Sequence, residues 1–216
     1  MENVDFDRLT LLINQTKTNS FKSKRDALIF KLVYYCGLRP KDIPMLRSEN
    51  FRKYFFISST KNFPLSLLNA VTTNNRKYAI PRNTHAQFQE YKTHWEKIRR
   101  SPNSFLFPPY ANASQIEWTF PLTHRGADYI LRANSLCSST DIQTIEALRI
   151  LGLRRMAAKS ICVYEIASRT GYKSGKALSR LFLKWGVPHL KSQNGPANER
   201  REKSMEKRWY VNRSKL

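Results

Sequence analysis

Tyr34–Phe51 reads YYCGLRPKDIPMLRSENF, and the reading of this stretch decides the fold. An apolar run closes at Gly37-Leu38-Arg39, a proline and an acid follow, and Ile43 and Leu46 open a second helix-like phrase. Glycine is the usual residue just past a helix C-terminus, because it takes the left-handed conformation without steric cost. An arginine at the hinge needs a further reason, since a small polar residue would make the same connection. Arg39 can simply complement a helix C-terminus. It can also present a planar fork of donors to an anion.

The composition favours the anion. Lys+Arg 38 against Asp+Glu 16 gives a formal charge of +22, and the pI is near 10.2. A surface so basic repels itself until a polyanion neutralises it, and nucleic acid is the usual one. Hydrophobic residues make up 41% of the 216, enough for one real core, so wholesale disorder is excluded. No apolar run reaches the length of a membrane span, and the start, Met1-Glu-Asn-Val-Asp, is polar rather than a leader. The expectation is a soluble chain, cytoplasmic and nucleoid-associated, or nuclear in a eukaryotic or viral setting. Cys36, Cys137 and Cys162 are far apart, as are the four histidines, so no zinc site, disulfide framework or cofactor is read.

Outward from the hinge, the periodicity gives a run of elements. A short amphipathic helix over 5–15 precedes the apolar helix that Gly37 stops, and a third short helix covers Lys41–Phe51. Three extended stretches follow: RKYFFISSTKN from Arg52, FPLSLL from Phe63 and RKYAIPR from Arg76. Helical spacing resumes at His85, with Phe88, Tyr91, Trp95 and Ile98 on one face. After a proline-rich loop come helices over 123–137 and 141–163, a short one ended by Gly171, and one ended by Gly186. The order predicts a mainly α domain over 1–188 with a small three-stranded antiparallel sheet. A basic polar tail, 189–216, holds eight Lys/Arg against three Asp/Glu.

This order, carrying these phrases, resembles the catalytic domain of the tyrosine recombinases, the phage-integrase family. CGLRPKDIPMLRSENF is similar to the family's first box, with Arg39 in the place of the first arginine and Asp42 in that of the acid. ISSTKNFPLSLL is similar to the hairpin that presents the family's lysine, here Lys61. FLFPP, from Phe105, and LRRMAAKSICVYEIASRTGYKS, from Leu153, extend the resemblance across most of the chain. It implies DNA breakage by a tyrosine that becomes covalently joined to the phosphate. Arginines would hold the nonbridging oxygens and a lysine would protonate the leaving 5′-oxygen, with no metal.

The resemblance also has departures. The second box, His-x-x-Arg, has two claimants for its arginine. Arg154 better fits the local pattern and puts Leu151 at the histidine position. Arg149 fits the spacing to Gly171 and puts Glu146 there. Tyr172 stands where a His or Trp follows the glycine, and the nucleophile's position falls on Leu181, beside Phe182. Neither can attack a phosphate. Tyr172, Tyr164 and Tyr210 are the remaining candidates for a nucleophile, Tyr172 acting in cis and Tyr210 in trans. DNA contacts are expected from Arg39, Lys61, Arg149, Arg154, Arg155 and Lys173, and from Arg200 and Arg201 in the tail.

The reading is therefore a double-stranded-DNA-binding protein of the recombinase fold, with cleavage impaired or absent. The alternative is an active integrase of a mobile element with a displaced tyrosine. The resemblance implies homo-oligomers on inverted repeats and a missing N-terminal clamp domain.

Overall fold

The computed structural model describes residues 12–13, 20–57, 65–74, 76–101, 104–110, 115–138, 142–159 and 163–187. Helix α1 (Phe21–Cys36) begins where the Ser20 hydroxyl accepts the Ser23 N–H at 3.2 Å, satisfying one of the unpaired donors of the first turn. It stops at Gly37, whose φ of 69° is the left-handed value expected of a C-terminal glycine. The N–H groups of Gly37 and Leu38 return to the carbonyls of Val33 and Leu32. A side chain at Gly37 would also press on Thr170, 3.0 Å from the position of its Cβ.

The phrase after the hinge is not the helix its spacing predicts. It forms two 3-10 turns, Pro40–Met45 and Ser48–Asn50. Pro44 lies inside the first and lacks the N–H that a continuing helix needs. The sheet follows as predicted: β1 (Phe51–Ile57), β2 (Leu65–Thr73) and β3 (Arg76–Ala79), antiparallel in the order β1-β2-β3. The middle strand runs further than FPLSLL suggests, to Thr73. Asn74, at φ 46°, turns the chain into β3, as asparagine does readily.

Among the described residues, the helices that follow the sheet are α2 (Arg82–Ile98), α3 (His124–Ser138), α4 (Ile145–Ala158), α5 (Val163–Arg169) and α6 (Gly175–Lys184). The helix read over 141–163 is shorter, α4 ending at Ala158, and the short helix expected before Gly171 is α5, which starts at Val163. The principal core joins α1, α2, α3 and the first half of α4 beneath one face of the sheet. Trp95, Tyr91, Phe88, Phe30 and Tyr78 are all fully buried there. A second cluster, with Leu153, Ile166, Leu178 and Phe182, packs the end of α4 against α5 and α6. The buried Arg25 ties α1 to the proline-rich loop, bonding the Pro108 carbonyl at 2.6 Å and lying over the Tyr110 ring.

Among the described residues no helix is long and apolar enough to cross a membrane, and no group of His, Cys, Asp or Glu could hold a metal ion. The boundary at 188 and the basic tail lie outside the described residues, as does the helix over 5–15 except Leu12 and Ile13, both buried.

Candidate nucleic-acid interface

The hinge places Arg39 between the end of α1 and Tyr78 of β3, whose hydroxyl its Nε reaches at 3.2 Å. Its side chain is 16% exposed and grips the fully buried Asp42 with two hydrogen bonds, from Nε at 2.9 Å and from Nη2 at 3.0 Å. Two more donors satisfy the same carboxylate: Asn74 Nδ2 at 2.9 Å and the Tyr78 hydroxyl. A buried carboxylate is tolerable only when it is paired and hydrogen-bonded in this way. Burial alone would lower the pKa of Arg39, but its bonds to Asp42 and Tyr78 outweigh this and raise it. Burial, then the Asp42 bond, pushes the Tyr78 hydroxyl far up. Arg39 is thus permanently charged and fixed in direction.

Arg149 comes to the same place from α4. Its Nε bonds the Gly37 carbonyl at 2.8 Å and its Nη1 bonds Glu146 one turn earlier, also at 2.8 Å. The guanidinium stands 5.0 Å from the centre of the Tyr172 ring. The third cation, Arg76, was read from the sequence only as the start of a strand. Its Nη1 donates to the Gly171 carbonyl at 2.5 Å. Burial lowers its pKa first, and the neighbouring charges of Arg39 and, more weakly, Arg149 lower it further. Three guanidiniums from the hinge, the sheet and α4 therefore meet, and the acids bonded to them among the described residues are Asp42 and Glu146. The signal for Arg76 in the sequence is a cation directly after an Asn-Asn pair, a composition that favours a turn.

Tyr172 closes the cluster. Burial raises its hydroxyl pKa, while the charge and hydrogen bonding of Arg149 pull the other way. Lys173 follows it, exposed.

The local-pattern choice for the second arginine, Arg154, is not brought to this place. Its Nη2 donates to the Trp185 carbonyl at 2.6 Å, at the end of α6. Arg155 is also elsewhere, over the rings of Tyr34 and Tyr35. Phe182 is buried in the second cluster and Leu181 is half-buried. Lys61, Arg200, Arg201 and Tyr210 lie outside the described residues.

The comparisons bear on the fold. The chain is similar to the XerH site-specific recombinase bound to difH substrate in a pre-cleavage complex, with a TM-score of 0.58 and 12% identity, covering 87% of this chain and 51% of that one. It is also similar to XerH bound to palindromic difH substrate in a post-cleavage complex, with a TM-score of 0.53 and 10% identity, covering 89% and 52%. The chain thus spans about half the length of these recombinases. No family model and no curated protein matches it. The mainly helical architecture with its three-stranded sheet is the fold of the tyrosine recombinases.

Proposed function

We propose that the chain binds double-stranded DNA through this fold and holds a backbone phosphate on Arg39, Arg76 and Arg149. Tyr172 serves as a further donor and Lys173 as a rim contact. Lys61, Arg200 and Arg201 would add contacts from segments beyond the cluster. The convergence of three guanidiniums from three distant parts of the chain is the observation that carries the reading. Arginine suits this task because its planar fork matches phosphate oxygens two at a time. Asp42 fixes one fork and Glu146 another, so the donors are oriented before a ligand arrives. Strand cleavage is impaired or absent, because Leu181 and Phe182 stand where the resemblance puts the tyrosine. Arg154 is left out of the phosphate set, since its guanidinium is committed to Trp185.

A native gel-shift titration over a range of salt tests this. Each lost phosphate contact reduces the log–log salt slope by about 0.9. Arg76→Ala and Arg149→Ala should each do so on any duplex, and Arg154→Ala should leave the slope alone. Equal slopes for all three variants and the parent protein would overturn the proposal.

A second reading rests on Tyr172, whose hydroxyl and ring lie against Arg149. As a nucleophile it would bond to phosphorus and release a 5′-hydroxyl, acting from the place of a supporting donor. Burial keeps its proton on and counts against that role. A nicked duplex that traps covalent adducts decides between them: an adduct abolished by Tyr172→Phe makes the chain a recombinase, and one abolished by Tyr210→Phe makes it one with a tyrosine from the tail.

A further inference from the structure

The sheet has a second face, and it carries its own basic pocket. Alternation along β3 sends Tyr78 toward Asp42 and Ala79 to the opposite side. There Ala79, Leu68 and Ile166 form the apolar floor of a pocket of about 360 Å³. Arg82, Arg155 and Lys159 line its rim, and no carboxylate is among the lining residues. Arg169 lines it too, with its charge met by Glu165 at 2.5 Å. Arg155 is held at the rim by the Tyr35 ring, 5.0 Å from its centre, so this cation is already positioned.

The occupant must be anionic and must also have an apolar part. The chain's own tail is a poor fit, with eight Lys/Arg against three Asp/Glu, and a second copy brings +22 overall. DNA held on the guanidinium cluster faces the other side of β3, and a phosphate backbone has no use for an apolar floor. We propose that this pocket docks an acidic segment of a different protein, one that inserts an aliphatic or aromatic side chain between flanking carboxylates. The site shares no residue with the guanidinium cluster, so it stands or falls separately from DNA binding.

The test uses two fluorescein-labelled peptides of equal charge, both Asp/Glu-rich, one with a central Leu-Phe and one with Ser-Ser there. Binding to the full chain is read by fluorescence anisotropy at physiological ionic strength, where non-specific attraction is screened. The Leu-Phe peptide should bind more tightly than the Ser-Ser peptide. Lys159→Glu should weaken the Leu-Phe peptide about tenfold, as expected for a charge reversed at a contact. Lys184→Glu, the same charge change at an exposed site on α6 outside the pocket, should have little effect. Both lysines are exposed, so neither variant threatens folding. The proposal is overturned if the Leu-Phe peptide fails to bind, if the two peptides bind equally, or if the two lysine variants lose equally. It is also overturned if Lys159→Glu weakens duplex binding as Arg149→Ala does, since the pocket would then belong to the DNA.

Discussion

Asp42 is where the cluster's geometry is decided. One carboxylate without solvent contact receives Arg39, Asn74 and Tyr78, which come from the hinge, the β2–β3 turn and β3. Replacing it leaves a largely buried guanidinium without its counter-charge, beside the neutral Tyr78 hydroxyl. Breaking such a pair from one side costs more than the pair contributes, because the remaining charge stays desolvated. Asp42→Asn should therefore lower unfolding free energy by about 3 kcal/mol, the low end for a buried ion pair, because Arg39 keeps some solvent contact. A urea titration followed by tryptophan fluorescence measures it. A loss under 1 kcal/mol would mean that water replaces the carboxylate. Tyr78→Phe should be milder, about 1–2 kcal/mol, since it removes one neutral donor from a still-paired acid.

The same scale explains why Arg149 rather than Arg154 joins Arg39. The two are five residues apart on α4, about 140° around a helix. Only one of them can face the hinge, and the linear pattern is silent on which. Glu146-x-x-Arg149 is one of the two spacings the sequence offers, and its arginine is the one that bonds the Gly37 carbonyl. The facing direction came from packing.

At the scale of elements, that packing is the crossing of α1 and α4. Gly152 lies against the backbone of Tyr34, and a Cβ added there would fall inside the Tyr34 carbonyl oxygen. Backbone cannot yield as a side-chain tip can, so Gly152→Ala must push the helices apart. Such overpacking costs about 1–3 kcal/mol, occasionally more, and here it would also displace Arg149, one turn away, from Gly37. The variant should melt lower and bind duplex more weakly than its remaining stability explains. Calorimetry alongside the gel shift would show this. Unchanged DNA affinity in a destabilised Gly152→Ala protein would mean that the cluster does not depend on the crossing.

Across the whole molecule, buried tyrosines set the response to alkali. Burial raises the hydroxyl pKa of Tyr34, Tyr78, Tyr91, Tyr110 and Tyr172. A group whose pKa is higher in the folded state contributes stability that is complete below its unfolded value, about 10 for tyrosine, and is lost as pH rises through the folded value. The Cys36 thiol, also raised by burial, acts with them, and Lys31, lowered by burial, works the other way. The melting temperature should hold near pH 9 and fall steeply above pH 10 as phenolates form. Differential scanning fluorimetry with absorbance at the phenolate band would follow both, and a flat melting temperature to pH 11 would contradict the burial of these rings.

What the sequence determined alone was short in range. Gly37 ends α1 because the left-handed conformation is a property of glycine. The aromatic and β-branched runs make three strands because alternation is local, and the excess of lysine and arginine fixes the net charge without any fold. Its errors had local causes as well: Pro44 turned a helix into 3-10 turns, and α4 ended five residues before Val163. Only the tertiary structure brought Arg76 to Arg39, placed Arg149 there instead of Arg154, and opened a second basic pocket behind the sheet. Those outcomes depend on how helices rotate and on which face of a strand meets which layer. They follow from packing between residues far apart in the chain, which no local pattern records.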